Sequence, residues 1–146
     1  MKNGSRIAAI VALGVVVSML AAAFSPGALA SGKITWYDFD AGITKGREEG
    51  KKIYINFYSE LCQYCEAMET ETFADPSVVS YLKENFIAIR VNSDREQKLA
   101  SDFRVRGLPD NWFMRETGEI IGHRPGYIPP DTFFKILQSV QKTAAE

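Results

Sequence analysis

Cys62 and Cys65 are the residues of this 146-residue chain whose types and spacing are best suited to chemistry. They are its only two cysteines, and they enclose Gln63 and Tyr64. Residues 52–58 before the motif are β-branched and aromatic, which predicts a buried strand, and residues 66–73 after it include good helix formers. The first turn of a helix favours a thiolate, because its N–H groups are unpaired and it is the positive end of the dipole. This arrangement is typical of a dithiol that exchanges disulfides.

The cysteine count disfavours other uses of the pair. A structural zinc site usually needs four ligands, and the chain offers two cysteines and a single histidine, His123. A disulfide closing so small a loop removes little chain entropy. Two alternatives stay open: a copper(I) site with Met68 as a third ligand, and a static or vestigial bridge.

The N-terminus has the pattern of an export signal. Lys2 and Arg6 precede an uncharged apolar run over residues 7–24, and Ala28-Leu29-Ala30 follows. This pattern predicts a secretory signal peptide over residues 1–30, cleaved after Ala30. The apolar run is nearly long enough to span a bilayer, so an uncleaved N-terminal membrane anchor is the alternative. In either case we expect the remaining chain to be extracytoplasmic, in the periplasm or secreted.

Charge and length limit the remaining classes. The chain has 17 basic and 18 acidic side chains without a basic cluster, which gives no support to nucleic-acid or anionic-lipid binding. Residues 31–146 suffice for one domain and are too few for two. We expect a monomer without metal, flavin or nucleotide cofactor.

The pattern of the mature segment predicts alternating strands and helices. Asp75 and Pro76 are expected to start a helix as N-cap and first helical residue, and Gly118 to lie in a hairpin turn. The order βαβαβαββα predicts a central mixed β-sheet flanked by helices on both faces. The predicted strands cover residues 34–37, 53–58, 86–91, 111–115 and 119–123, and the predicted helices cover residues 40–50, 62–73, 96–103 and 130–142. The helix that begins at Pro76 is expected to have Val78, Val79 and Leu82 on its apolar face.

The chain resembles secreted thioredoxin-like proteins, similar to the C-terminal thiol domain of the transmembrane reductant conductor DsbD and its stand-alone relatives. The cysteine motif with Met68, the segment 72–78, and Val105-Arg106-Gly107-Leu108-Pro109, which matches the family pattern V-x-G-x-P, carry this resemblance. Gly118 and Gly126-Tyr127 also fall where the family has its hairpin and its last glycine. The resemblance covers about residues 36–140 and implies an α/β thioredoxin fold.

The resemblance also implies roles for individual residues. Cys62 would be the exposed attacking thiolate and Cys65 the buried resolving thiol. Pro109 would be cis and lie beside the disulfide, where Leu108 offers its backbone to the substrate chain. The implied activity is that of a thiol-disulfide oxidoreductase which reduces partner protein disulfides and is itself fed by a membrane reductant conductor of the DsbD type. A disulfide oxidase or isomerase is the alternative within the class.

Three positions depart from the family pattern. Leu61 stands where a tryptophan is common. Asn56 stands where thioredoxins have a buried aspartate that relays a proton for the resolving cysteine, and an amide cannot titrate. Asp110 follows Pro109 where a threonine is usual. We expect His123 to have no catalytic role, and Glu60 and Glu66 to be solvated charges.

Overall fold

The computed structural model of the protein describes residues 32–143. The predicted signal segment lies outside the described residues. The described residues form five strands and five α-helices, and a π-helical segment, Met68–Thr72, directly extends the second helix. The elements are β1 (Trp36–Tyr37), α1 (Phe39–Glu49), β2 (Lys52–Tyr58), α2 (Gln63–Ala67), α3 (Pro76–Asn85), β3 (Phe86–Asn92), α4 (Gln97–Asp102), β4 (Asp110–Met114), β5 (Ile120–Pro125) and α5 (Pro130–Lys142).

The strands form one mixed sheet in the order β1-β3-β2-β4-β5. Strands β1 and β2 both pair in parallel with β3, whereas β4 is antiparallel to β2 and to β5. The strand β2 is central, and its residues from Ile53 to Phe57 are all buried. The predicted mixed sheet with a C-terminal hairpin is therefore confirmed.

Helices cover both faces of the sheet, as predicted, because both faces carry apolar side chains. On the first face, Tyr54 packs with Met68 of the π-helical segment and with residues of α3 and α5. On the second face, Ile55 and Trp112 pack with Ala100 of α4 and with residues of α1. The disulfide motif therefore leads from the central strand into the first-face layer.

The helix ends follow the capping signals of the sequence. The Asp75 carboxylate accepts hydrogen bonds from the amides of Ser77 and Val78, and Pro76 is the first residue of α3, as predicted. Gly50 ends α1 in a left-handed conformation with φ 62°. The helix predicted over residues 62–73 is not uniform, because its second half is the π-helical segment. The hydroxyl of Thr72, at the end of that segment, donates to the carbonyl oxygen of Ile128 at 2.6 Å.

Candidate redox site

The cysteine pair lies at the junction of the central strand and α2. Cys62 and Cys65 form a disulfide, with their Cα atoms 5.2 Å apart. Cys62 is the N-cap residue of α2, and its sulfur accepts a hydrogen bond from the Cys65 amide at 3.2 Å. The structure therefore places a backbone donor on the sulfur of Cys62, as the helix N-terminus predicts.

The two sulfurs differ in exposure. Cys65 is 4% exposed, whereas Cys62 is only half-buried. A partner thiol or disulfide can therefore reach Cys62 but not Cys65. Only Cys62 is accessible enough to attack a sulfur of another protein. The buried Cys65 can react only with the sulfur of Cys62.

Exposed apolar side chains surround the motif. Leu61 is 97% exposed and Tyr64 is 64% exposed, and both are among the few large hydrophobic residues exposed in residues 32–143. Gln63 between the cysteines is also exposed. Such residues offer contact area to another protein rather than to a small hydrophilic molecule.

The loop that contains Leu108 and Pro109 lies at the same end of the sheet as the cysteines. Asp110, the first residue of β4, pairs with Phe57 near the end of β2, and β2 runs towards Cys62. The peptide bond between Leu108 and Pro109 is cis, as the family resemblance implied. The carbonyl oxygen of Pro109 accepts a hydrogen bond from the Gly126 amide at 2.7 Å, which ties the loop to the end of β5.

Asn56 is buried on the first face of the sheet, the face that the π-helical segment covers, and it is only 1% exposed. Its side-chain amide donates to Asn111 Oδ1 at 3.2 Å, and the Tyr54 hydroxyl donates to the same oxygen at 2.6 Å. Burial raises the pKa of Tyr54 well above its ordinary value, so the hydroxyl stays protonated and remains a donor. An amide network therefore surrounds Asn56, at the position where the thioredoxin pattern has a titrating aspartate.

Arg90 lies beside this network, but its guanidinium contacts Glu69 and Tyr58 and not the amide side chains. Its Cα pairs with that of Asn56 across β3 and β2. Its guanidinium is 2.6 Å from the Glu69 carboxylate and lies over the ring of Tyr58, 4.2 Å from the centroid. Arg90 thus joins the sheet to the π-helical segment after Cys65.

The acidic residues that flank the motif were expected to be solvated. Glu66 makes no ion pair with a described residue, whereas Glu60 forms an exposed one with Arg95 at 2.7 Å. Exposed pairs of this kind stabilise a fold by about 1 kcal/mol at most. Arg95 thus pairs with Glu60, and no lysine, arginine or histidine among the described residues pairs with the sulfur of Cys62 or Cys65.

Sequence reasoning missed one contact near the Pro109 loop. His123, which we expected to have no catalytic role, contacts the buried carboxylate of Asp110, with Nδ1 3.0 Å from Oδ1. The two residues are 13 positions apart on different strands, so no local pattern joins them.

The described part of the chain has no cluster of three or more histidine, cysteine or acidic residues arranged to hold a metal ion. None of its helices is both long and apolar enough to cross a membrane. Both findings concern residues 32–143.

Comparison with known proteins supports the resemblance. The sequence model of the thioredoxin-like domain family matches residues 39–141. The thiol:disulfide interchange protein DsbD of Photorhabdus laumondii subsp. laumondii is 28% identical over 112 residues, which are 73% of this chain but 19% of that protein. The chain thus spans about a fifth of the length of this relative.

Stand-alone thioredoxins match over more of their own length. A thioredoxin H-type of Oryza sativa subsp. indica is 27% identical and is covered over 84% of its length by 74% of this chain. The solution structure of a thioredoxin from Thermus thermophilus superimposes with a TM-score of 0.68 at 31% identity, covering 75% of this chain and 88% of that one. The sheet order and the helices of this chain are those of the same fold.

Proposed function

The chain belongs to the thioredoxin-like domain family, and from this membership and the geometry of its cysteines we propose that it is an extracytoplasmic thiol-disulfide oxidoreductase that reduces disulfides of partner proteins. The observation that carries the proposal is the half-buried Cys62 joined to the buried Cys65 at the start of α2. This is the arrangement that one attacking and one resolving thiol require.

The reaction begins with both cysteines reduced. The Cys62 thiolate attacks one sulfur of the partner disulfide, forming a mixed disulfide and releasing the other partner sulfur as a thiolate, which takes up a proton. Cys65 then loses its proton and attacks the sulfur of Cys62. The second partner thiol leaves, and two electrons have passed from the dithiol to the partner.

The charges around the motif favour the reducing direction. A strongly oxidising pair needs a reduced form that is stabilised, usually through a stabilised thiolate. Gln63 and Tyr64 carry no positive charge, and the flanking Glu60 and Glu66 are acidic. The Cys62 sulfur has one backbone donor, the Cys65 amide, and no cationic partner among the described side chains. We therefore place the reduction potential nearer to about −270 mV, as in thioredoxin, than to about −120 mV, as in DsbA.

Leu108 and Pro109 are proposed to receive the partner's backbone, and Leu61 and Tyr64 to contact its side chains. The similarity to part of DsbD supports a membrane conductor of that type as the source of electrons. The apolar segment over residues 7–24 supports export of the domain.

Reduction of insulin by the protein, with dithiothreitol as electron source, tests the activity. Cys62→Ser should abolish turnover, and Cys65→Ser should accumulate mixed disulfides, because only the second step is lost. Wild-type turnover in Cys62→Ser would exclude Cys62 as the nucleophile. Equilibration with glutathione gives the potential, and a value near about −120 mV would favour the oxidase alternative.

A further inference from the structure

The buried Asp110 and the exposed His123 form an ionisable pair next to the loop that is proposed to bind the partner. The Asp110 side chain is 2% exposed, and its one hydrogen-bond partner among the described side chains is His123 Nδ1. The imidazole stacks on the Trp112 ring, with centroids 4.2 Å apart and an interplanar angle of 20°. The His123 side chain is 44% exposed, so water can exchange protons with it.

The elements packed around the pair are apolar on this face. Asp110 pairs in register with Phe57 of β2 and with Pro125 of β5. Phe103, which follows α4, packs edge-on against Trp112 with centroids 5.1 Å apart. The carboxylate therefore lies among apolar groups, where a charge is stable only if it is paired.

The other charged groups nearby do not compensate this carboxylate. Arg124 follows His123 but points to the opposite face, since side chains alternate along a strand. Arg104 and Arg106 in the exposed approach to Pro109 make no ion pair with a described residue. The first-face hydroxyl of Tyr54 is buried and neutral. Glu60, Glu66 and Arg95 beside the cysteines are exposed charges at the same end of the sheet, and in the reduced protein the thiols of Cys62 and Cys65 are ionisable there as well.

The strength of the Asp110–His123 contact depends on the proton on His123. Imidazole titrates near neutral pH. A hydrogen bond between two charged groups is about twice as strong as one with a neutral donor. Asp110 is bonded directly to Pro109, so a side chain that is held firmly also fixes the position of the loop.

We propose that Asp110 and His123 are a positioning pair that holds the Leu108–Pro109 loop in its binding shape, so that the partner binds more tightly while His123 is protonated. The inference rests on the proposed function, in which this loop receives the partner chain. The pair transfers neither electrons nor protons to the reacting sulfurs. The pair should therefore change the affinity for the partner protein. The maximal rate of disulfide exchange should depend on the cysteines alone.

Single-turnover kinetics separate the two effects. Reduced protein is mixed with increasing concentrations of insulin between about pH 5.5 and 8.5, and the rate is followed by tryptophan fluorescence. The half-saturating insulin concentration should rise about fivefold as the pH increases. This factor corresponds to the difference in hydrogen-bond strength between a charged and a neutral imidazole donor. The rise should coincide with the pH at which the His123 ring signals shift in NMR spectra, and this histidine is the only one in the chain.

Two variants and one control complete the test. In His123→Gln and in Asp110→Asn, which keep polar groups but cannot form the ion pair, the half-saturating concentration should not depend on pH. The control Arg124→Gln removes the neighbouring cation, which faces the other side, and should keep the wild-type pH dependence. If one variant of the pair fails to fold, the other variant and the NMR comparison still decide the question.

An unchanged pH dependence in a folded variant, or a wild-type half-saturating concentration that is constant with pH, would overturn the inference. Failure of the proposed function looks different, because insulin reduction that depends on Cys62 would then be absent at every pH.

Discussion

Replacing Asn56 with aspartate tests how Cys65 loses its proton. In thioredoxins an aspartate occupies this position, and here the amide can only hydrogen-bond. The resolution step should therefore be slow in the wild-type protein, and Asn56→Asp should accelerate decay of the mixed disulfide near neutral pH. Assistance by a general base is typically worth about 100-fold or more.

The structure also predicts what the substitution does to stability. The Asn56 amide donates to Asn111 Oδ1 at 3.2 Å, and that oxygen already accepts from Tyr54. An ionised carboxylate at position 56 has no proton to donate, so its oxygen would repel Asn111 Oδ1. A protonated carboxyl could donate to Asn111 Oδ1 in place of the amide. Arg90, the in-register neighbour, is already paired with Glu69, so it can offset only part of the penalty.

The pH dependence of this penalty follows from the same contact. Burial raises the folded-state pKa of the introduced carboxyl above its unfolded value of about 3.9. The penalty is therefore small below about pH 4 and grows by about 1.4 kcal/mol per pH unit until the folded-state pKa is passed. A rise of about three units, which fully buried acids can reach, would give a loss of about 4 kcal/mol by pH 7.

Two measurements on the same variant check this reasoning. Urea unfolding of the oxidised proteins at several pH values gives the stability difference, and Asn56→Leu is the matched control, with a penalty that should not vary with pH. Stopped-flow decay of the mixed disulfide gives the resolution rate. Equal decay rates in folded Asn56→Asp and wild-type protein would refute the proton-transfer argument, and an equal penalty at all pH values would refute the burial argument.

The remaining predictions concern the core and the dithiol. Tyr54→Phe should cost about 1 kcal/mol at neutral pH, measured by urea unfolding, because it removes one hydrogen bond to Asn111. Burial raises the pKa of Tyr54 in the folded state, so above about pH 10 only the unfolded wild-type protein ionises this tyrosine, and the free energy of unfolding should fall as the pH rises. In the Tyr54→Phe variant the free energy of unfolding should fall less. Gly42→Ala should cost about 1–3 kcal/mol, because a Cβ there would overlap the Ile89 side chain, whereas the control Gly122→Ala meets no atom within 4 Å. Reduced protein dialysed against a mild chelator should keep less than stoichiometric copper or zinc, since two thiolates leave the coordination sphere incomplete; stoichiometric metal would favour the metal-binding alternative.

Much of the fold follows from local sequence patterns. Lys52–Tyr58 and Phe86–Asn92 are nearly continuous apolar runs, and they are the two long strands at the centre of the sheet. The cysteine motif between a strand and a helix locates the redox site, and the V-x-G-x-P segment locates the cis proline through family resemblance. These signals are contained in a few adjacent residues.

The contacts that were missed depend on the pairing of distant strands. Asn111 meets Tyr54 across 57 positions of sequence, and His123 meets Asp110 diagonally across the β4–β5 pair. A shift of the register by one residue would place each partner on the other face of the sheet. Because the sequence does not state the register, polar pairs of this kind could not be predicted from it.

The π-helical segment Met68–Thr72 restricts how the length of the chain can vary near the cysteines. A π turn holds one residue more than the α-helical turn it replaces. Deleting one residue there would leave a continuous α-helix and keep the orientation of Cys65 relative to Thr72, which is bound to Ile128, whereas a deletion in the α-helical turn would rotate Cys65 by about 100°. Among homologues of this chain, we expect a single-residue gap in an alignment to fall within these five positions. A gap placed nearer to Cys65 would misalign the residues of α2 with their counterparts in the homologues.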